Sequence, residues 1–351
     1  MPPAVAVQPL EAPFTARDLA AGVPDLKEVG RRHPAYGRFA ESVGNTTLME
    51  LPGTAGGARL FGKCEWENPA GSIKDRVACA LLGDALLRHG DRPLSELRVL
   101  EYSGGNLSRA LSLLSAELGI TARFVLSSAS PASLLELLAT RGVGVDLVDK
   151  ELGFLEVVRH AVRIAAADDR WTLLYQHRNP VNVLLHEATT GAEILRQLDG
   201  ATPDAWVASI GTGGTLVGVL RALRAAHPGV RAVGVSPAEL PYGSAAQPNG
   251  LPKYAGSGGM GLGIRQPFVT LDDDRIEHRT VSWPQALAGM ADFHRLTGVR
   301  IGSSAAANWL AAREVAAALP SSATVVTVLP DAGTPEEWQR VAALQVAEPV
   351  A

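Results

Sequence analysis

Residues 67–76 read Glu-Asn-Pro-Ala-Gly-Ser-Ile-Lys-Asp-Arg, and the lysine of this stretch, Lys74, stands just after a turn-forming segment. Ser72 suits a helix cap, Asp75 follows three residues later as a capping-box partner, and an apolar run occupies 77–82. The pattern predicts a helix with Lys74 in its first turn. There the helix dipole disfavours an ammonium and favours the free amine that attacks a carbonyl. The stretch therefore indicates a nucleophilic lysine, the alternative being an ordinary surface lysine.

A glycine-rich loop lies between a predicted buried strand at 205–210 and a predicted helix at 216–223. Its residues are Gly211, Thr212, Gly213, Gly214 and Thr215. The glycines let backbone N–H groups converge on a small anion, and the following helix points its N-terminus at the same place. The loop lacks the lysine of a P-loop, and Leu216 stands where a dinucleotide fingerprint needs glycine or alanine. We interpret it as a phosphate-binding loop, the alternative being a turn that binds nothing.

A nucleophilic lysine and a phosphate loop of this kind make pyridoxal 5'-phosphate the natural common ligand. The chain resembles the cysteine synthase and cystathionine β-synthase family of pyridoxal-phosphate enzymes, often called fold type II. The resemblance runs from about residue 44 to residue 338, and its motifs occur in the family's order. These motifs are 44–48, 68–76, 103–106, 176–182, 211–215, 302–305 and 330–333.

The predicted fold class is α/β, because apolar strands alternate with helical segments from residue 60 onward and this order is typical of parallel sheets covered by helices. The resemblance implies two domains, each with a twisted, mostly parallel sheet flanked by helices, and a cofactor in the cleft between them. It places a large cofactor-binding domain at 44–66 plus 180–351 and a smaller substrate-binding domain at 67–179. Residues 1–43 have no sustained period and are interpreted as an N-terminal extension.

Hydrophobic patterning also predicts individual elements. The predicted strands are 60–62, 99–102, 123–126, 145–148, 172–174, 205–210, 232–235 and 325–329. The main predicted helices are 106–118, 133–140, 155–167, 185–198, 284–297 and 305–318. Each loop from a strand to a helix is then expected at the carboxyl edge of its sheet, where ligands bind in such folds.

The resemblance assigns roles to particular residues. It implies that Lys74 is the catalytic residue and forms a Schiff base with pyridoxal phosphate. It also implies that Asn106 hydrogen-bonds the ring hydroxyl and that the loop 211–215 holds the phosphate. Asn106 equally suits a helix N-cap, and the two interpretations are compatible. Lone histidines such as His177 and His186 are interpreted as structural.

The predicted substrate-binding loop departs from the family pattern. Cysteine synthases resemble Thr-Ser-Gly-Asn-Thr at this point, and the hydroxyls and backbone amides hold the carboxylate of the amino acid. This chain has Ser103, Gly104, Gly105, Asn106 and Leu107. The hydroxyls at Gly104 and Leu107 are therefore missing, although backbone N–H donors remain. Leucine at position 107 resembles some 2,3-diaminopropionate synthases of the family.

Two more positions complete the predicted substrate site. Gln176 matches the family glutamine that assists in holding the carboxylate. Gly259 belongs to a glycine segment, 256–261, that resembles the family's mobile segment near the active-site entrance. The alternative for that segment is a plain surface loop.

On the far side of the cofactor ring, the family presents a serine hydroxyl to the pyridine nitrogen. This chain has Ala332 at that position, and alanine cannot donate a hydrogen bond. Thr334 or a water molecule is the expected substitute. Asp331 is interpreted as a helix cap, the alternative being a contact with the cofactor ring. The alternative is that the position reflects altered or absent catalysis.

Composition excludes several other classes of protein. The net charge of −4 over 351 residues offers no footprint for nucleic acid. No apolar run approaches a membrane span and no basic secretory start is present, so we expect a cytoplasmic protein. The two cysteines are too few for a disulfide framework, and no spacing resembles a metal site. The family also implies a homodimer.

The expected function is β-replacement on an O-activated serine, O-acetyl- or O-phosphoserine. An aminoacrylate would form and take up a small nucleophile, giving cysteine or another β-substituted alanine. Two alternatives stay open. One is a pyridoxal-phosphate lyase that releases pyruvate and ammonia, and the other is a cofactor-binding protein with altered catalysis.

Overall fold

The computed structural model describes residues 8–244, 259–261 and 263–347. These residues form two compact units. The first unit holds the described residues up to Val43 together with Lys74–Leu185, and the second holds Gly44–Ile73 together with the described residues from His186 onward. The predicted domain limits stay a prediction, and the predicted smaller domain shares residues 74–179 with the first unit.

The elements follow one another along the chain as the alternating pattern predicts. In the described part of the chain the strands are β1 (Leu48–Glu50), β2 (Arg59–Cys64), β3 (Arg98–Tyr102), β4 (Thr121–Ser127), β5 (Gly144–Val148), β6 (Trp171–Leu173), β7 (Ala205–Ser209), β8 (Arg231–Pro237), β9 (Ile276–Val281) and β10 (Thr324–Leu329). The α-helices are α1 (Leu26–Arg32), α2 (Pro34–Ser42), α3 (Lys74–His89), α4 (Asn106–Leu118), α5 (Ala132–Thr140), α6 (Gly153–Ala167), α7 (Val181–His186), α8 (Ala192–Gln197), α9 (Gly214–Ala226), α10 (Trp283–Thr297), α11 (Ser303–Ala317) and α12 (Pro335–Ala347).

The first unit is built on a four-stranded sheet in the order β5-β4-β3-β6. All its strand pairs are parallel, and the register places Tyr102 of β3 opposite Val125 of β4. The loops that follow β3 and β4 therefore leave the same edge of the sheet side by side. Helix α3 is almost wholly buried in this unit, with residues 77–82 each at most 3% exposed. A helix whose middle turns are apolar and buried is typical of the centre of a unit.

The second unit is built on a six-stranded sheet in the order β1-β2-β10-β7-β8-β9. Only the edge strand β1 is antiparallel to its neighbour. Helix α11 and the buried face of α10 pack with β2, β7 and β10 in one apolar core that includes Trp309 and Phe293. Both units confirm the predicted α/β fold with mostly parallel sheets. No helix in the described ranges is long and apolar enough to cross a membrane.

The structure adds elements that were not predicted and changes the bounds of one predicted helix. The N-terminal extension contains α1 and α2, and the Tyr36 hydroxyl donates a 2.8 Å hydrogen bond to the Cys79 carbonyl of α3. Strands β1 and β9 were not predicted, because each lies at an edge and has a weak apolar pattern. The predicted helix 185–198 begins at Val181 and is interrupted by a π-helical turn at Glu187–Gly191.

Candidate functional site

The first unit holds the predicted nucleophile. Helix α3 begins at Lys74, so this residue lies in the first turn, as predicted. Its side chain is half-buried, while Asp75 and Arg76 immediately after it are buried. The N–H groups of a first turn have no partner within the helix, and their positive potential acts on the Lys74 amine. The local geometry therefore suits a lysine that reacts as the free amine.

His177 is a buried neighbour of this lysine. Its ring stacks on Tyr102 at 5.5 Å between centroids, and its Nδ1 atom lies 3.0 Å from the Tyr102 hydroxyl oxygen. Burial, and secondarily the charge of Lys74, lower the pKa of His177 to about 3. The imidazole is consequently neutral at physiological pH. These contacts are those of a structural histidine, as the sequence analysis expected.

The loop after β3 carries the predicted substrate and ring-hydroxyl residues. Gly105 occupies the N-cap position of α4 and Asn106 is the first helical residue, so Asn106 is not the cap that the sequence allowed. Gly104 is exposed, whereas Leu107 is completely buried. The side chain of Leu107 therefore packs inside the unit. What this loop presents to a ligand is mainly its backbone, together with Ser103 and Asn106.

Gln176, which follows the neighbouring strand β6, holds the loop after β3 in place by a hydrogen bond. Its Nε2 atom donates a 2.7 Å hydrogen bond to the carbonyl of Tyr102, the residue just before Ser103. Its own carbonyl accepts from Asn182 Nδ2 at 2.8 Å. The preceding residue, Tyr175, has a left-handed backbone with φ of 60°. Such strained conformations persist where the surroundings enforce them, and here the turn aims Gln176 at the end of β3.

Glu101 is a buried carboxyl group that the sequence analysis missed. It accepts hydrogen bonds from the backbone N–H groups of Tyr102 at 2.9 Å and Gln176 at 3.2 Å. Complete burial nevertheless raises the pKa of Glu101 to about 8. A protonated carboxylic acid therefore joins the two loops at neutral pH. The available signal was an acidic residue inside an apolar strand directly before the Ser103 loop.

The second unit holds the predicted phosphate loop. Strand β7 ends at Ser209, and α9 begins at Gly214 with Gly213 as its cap at φ of 84°. A Cβ atom on Gly213 would lie 2.5 Å from Val269 Cγ2, so both the backbone and the space require glycine. The Gly214 N–H donates to Thr212 Oγ1 at 3.2 Å. A glycine loop that has no acidic side chain and leads into a helix N-terminus is chemically matched to a phosphate group.

His186 contacts the end of this loop at Thr215. The sequence predicted a structural histidine without indicating this contact. Its Nε2 atom lies 3.1 Å from Thr215 Oγ1, and its Nδ1 atom lies 2.9 Å from Thr190 Oγ1. Both His186 and Thr190 are completely buried. Thr190 lies in the π-helical turn, and such turns are frequent at functional sites. The imidazole thus fixes the orientation of a hydroxyl in the first turn of α9.

Gly259 lies against the phosphate loop. Its carbonyl oxygen would be 3.3 Å from a Cβ atom on Gly211, so the two backbones approach closely. A Cβ atom on Gly261 would lie 2.2 Å from the Ile210 carbonyl oxygen. Residues 256–258 of the predicted glycine segment lie outside the described residues. The described part of that segment packs on the loop through glycine backbone.

The predicted ring-nitrogen position, Ala332, begins a turn into α12. The Trp338 indole N–H donates to the Ala332 carbonyl at 2.8 Å. Thr334 and Glu337 form a reciprocal capping box, in which each backbone N–H donates to the other side chain at 2.8 and 3.2 Å. Asp331 accepts from the Gly333 N–H at 2.9 Å, so it stabilises this turn.

Glu337, in the second unit, is also a buried carboxyl group. The Ser303 hydroxyl and backbone N–H both donate to its Oε1 atom. Burial, and secondarily the charge of Asp331, raise the pKa of Glu337 above its ordinary value. The carboxyl holds α12 against the start of α11.

Comparison with known proteins identifies the family. The sequence model described as pyridoxal-phosphate dependent enzyme matches residues 39–331. A cysteine synthase of Staphylococcus aureus is 29% identical over 299 residues, which cover 84% of this chain and 93% of that protein. The N-(2-amino-2-carboxyethyl)-L-glutamate synthase of Cupriavidus metallidurans is 32% identical over 304 residues, covering 84% and 86%.

A solved structure agrees with the sequence comparisons. The crystal structure of O-ureido-L-serine synthase matches 89% of this chain and 96% of that chain, with a TM-score of 0.77 and 25% identity. The glycine loop of the second unit suits the phosphate of the cofactor that the family uses. The chain therefore belongs to the fold type II, cysteine synthase-like family of pyridoxal-phosphate-dependent enzymes.

Proposed function

We propose that the protein catalyses β-replacement on an O-activated L-serine, either O-acetyl- or O-phosphoserine, and releases a β-substituted alanine. The observation that carries this proposal is Lys74 as the first residue of the buried helix α3, in a chain of this family. The relatives described above are synthases of cysteine, of N-(2-amino-2-carboxyethyl)-L-glutamate and of O-ureido-L-serine. Each of these products is an alanine unit with a different group on its β-carbon.

The nucleophile is proposed to be other than sulfide. Gly104 and Leu107 replace two hydroxyl-bearing positions of the cysteine synthase pattern. The relative with 32% identity is named for a product in which an amine nitrogen is bonded to the β-carbon of the alanine unit. Both observations support an amine as the nucleophile. A thiol is the alternative nucleophile, and the experiment below compares the two.

Pyridoxal phosphate, when bound, draws electrons from the α-carbon of the amino acid joined to it. We propose that Lys74 Nζ is the attachment point of the cofactor. Once displaced by the substrate amine, the Lys74 amine removes the α-proton and later returns it as a general acid. The helix N-terminus at Lys74 favours the free amine that the first of these transfers requires.

The remaining residues hold the two ligands. Backbone N–H groups of Gly211–Thr215 bind the phosphate, and the Asn106 amide bonds the ring hydroxyl. Backbone N–H groups at Ser103–Gly105 bind the substrate carboxylate. Gln176 supports that loop through the hydrogen bond to Tyr102. Ala332 offers no side-chain donor to the ring nitrogen, which is compatible with loss of a β-substituent.

The absorbance of the purified holoenzyme near the edge of the visible range tests the attachment point. The Lys74→Ala variant is expected to lose this absorbance, whereas Lys27→Ala, at an exposed position of α1, keeps it. A wild-type protein that stays colourless after incubation with pyridoxal phosphate and removal of the free cofactor would contradict the proposal.

The reaction is tested with O-acetylserine and O-phosphoserine, each with sulfide, small thiols or amino acids as nucleophiles. Mass spectrometry is expected to find a β-substituted alanine that contains the added nucleophile. Pyruvate and ammonia as the sole products with every nucleophile would instead identify a lyase. Neither product with either serine derivative would identify a binding protein. The homodimer and the cytoplasmic location also stay predictions.

A further inference from the structure

Ser130 has a buried hydroxyl in the turn between β4 and α5. The backbone N–H of Ser130 donates to the Ser127 carbonyl at 2.9 Å, and Pro131 then caps α5. The Ser130 Oγ atom is shielded from solvent, and no described residue gives it a hydrogen bond. A buried hydroxyl without a partner is unfavourable, so such a group indicates a missing ligand or water molecule.

This hydroxyl lies beside the substrate loop of the same unit. A Cβ atom on Gly104 would be only 2.8 Å from Ser130 Oγ. The proximity follows from the sheet, because β3 and β4 are parallel neighbours and their loops leave the same edge. Ser130 thus fills the space that a side chain at position 104 would take.

The backbone at Gly104 does not by itself require glycine. Gly104 is not among the residues with positive φ, so an L-residue can adopt its conformation. The constraint is the contact with Ser130. A hydroxyl can therefore be accommodated on the loop at position 104 or on the neighbouring turn at position 130, but not at both without displacement.

We propose that Ser130 supplies the hydroxyl that the loop lacks at Gly104 and donates a hydrogen bond to the α-carboxylate of the amino-acid substrate. This inference rests on the proposed function, which provides a substrate with that carboxylate. An ionised carboxylate accepts hydrogen bonds only, and a hydroxyl has the donor it needs. The carboxylate is then bound jointly by backbone N–H groups after β3 and by one side chain after β4.

The test titrates the holoenzyme with L-serine and follows the cofactor absorbance to obtain a Kd. Ser130→Ala is expected to raise the Kd for L-serine about tenfold or more, as for a lost hydrogen bond to a charged group. The cofactor absorbance without amino acid is expected to stay unchanged. Ser133→Ala is the matched control, because the Ser133 hydroxyl is also buried without a partner among the described residues and lies on α5.

A second ligand separates a carboxylate contact from a general loss of structure. Ethanolamine has the amine and hydroxyl of serine but no carboxylate. Its Kd is expected to be the same for wild type and Ser130→Ala. An equal rise in Kd for both ligands would show that the hydroxyl holds a structural water molecule, and would overturn the inference.

Moving the hydroxyl provides a rescue experiment. Gly104→Ser alone is expected to weaken L-serine binding, because its Cβ atom meets Ser130 Oγ. Gly104→Ser combined with Ser130→Gly is expected to restore a Kd near that of wild type. A Ser130→Ala variant that binds L-serine as wild type does, or a Ser133→Ala variant equally impaired, overturns the inference alone. Wild-type holoenzyme that responds to no serine derivative overturns the proposed function as well.

Discussion

The Nε2 atom of His186 lies 3.1 Å from the hydroxyl oxygen of Thr215, at the start of α9, and its Nδ1 atom lies 2.9 Å from the hydroxyl oxygen of Thr190. Each ring nitrogen of His186 therefore faces one threonine hydroxyl. One ring thereby joins the π-helical turn to the proposed phosphate loop. The orientation of the Thr215 hydroxyl depends on a residue that does not itself belong to the loop.

Replacing His186 by alanine is expected to weaken pyridoxal phosphate binding. Both threonine hydroxyls would lose a buried partner, and a loss of about 1–2 kcal/mol corresponds to roughly a five- to thirtyfold higher Kd. Absorbance titration of the apoenzyme with pyridoxal phosphate measures this change. His227→Ala, at the opposite end of α9, is the control and is expected to keep the wild-type Kd. Equal Kd values for the two variants would contradict the supporting role.

Gly213→Ala is expected to destabilise the protein by about 2–4 kcal/mol, since a left-handed alanine and a steric clash both contribute. The clash arises because the new Cβ atom lies 2.5 Å from Val269 Cγ2. Gly200→Ala is the matched control: its φ of 87° is similar, but no atom lies within 4 Å of the added Cβ. It is expected to cost only about 1 kcal/mol. Urea unfolding of both variants measures the difference, and equal losses would exclude the clash.

The buried groups Glu101 and His177 give stability contributions of opposite pH dependence. Glu101 has its pKa raised from 4.5 to about 8, so its contribution is complete below pH 4.5 and is lost as the pH rises to about 8. His177 has its pKa lowered from 6.5 to about 3, so its contribution is complete above pH 6.5 and is lost as the pH falls. Between pH 4.5 and 6.5, a rise in pH therefore decreases the contribution of Glu101 to stability and increases that of His177.

Only Glu101 of this pair titrates between pH 6.5 and 8. There the free energy of unfolding of wild type, relative to Glu101→Gln, is expected to fall by about 1.4 kcal/mol per pH unit. Urea unfolding of both proteins at several pH values in this range measures the slope. Parallel curves would mean that Glu101 is already ionised in the folded protein.

Glu193→Ala is expected to destabilise the protein by about 3–5 kcal/mol, because it removes the carboxylate from a buried ion pair. Lys63 is completely buried, and its Nζ atom lies 2.7 Å from Glu193 Oε2. Replacing both residues, as Lys63→Met with Glu193→Leu, is expected to recover most of this loss. Glu28→Ala, which breaks exposed pairs with Arg31 and Arg32, is the control and is expected to leave the unfolding curve nearly unchanged. A double variant as unstable as Glu193→Ala would contradict the explanation.

Elements decided by local sequence were predicted closely. Helix α4 spans the predicted 106–118, because its apolar period and its glycine ends are both local signals. The position of Lys74 in a first turn was predicted for the same reason. The motifs also sufficed to recognise the family, since each reflects the backbone of one short loop.

Contacts between distant segments were not predictable. Ser130 lies beside Gly104 only because of the register between β3 and β4. His186 meets Thr215 only because a π-helical turn packs against α9. Hydrophobic period locates a strand or a helix but carries no information about which neighbours it acquires. The supporting contacts of Ser130 and His186 therefore came from the structure alone.

The order of strands in the second unit has a consequence for folding during synthesis. Strand β10 lies between β2 and β7, yet among the described strands it is the last in the chain. Its pairing with β2 joins Arg59 to Thr324, a separation that makes the contact strongly non-local. A nascent chain that lacks β10 leaves facing edges of β2 and β7 unpaired and open to misassociation. The second unit therefore completes its sheet only when its central strand has left the ribosome.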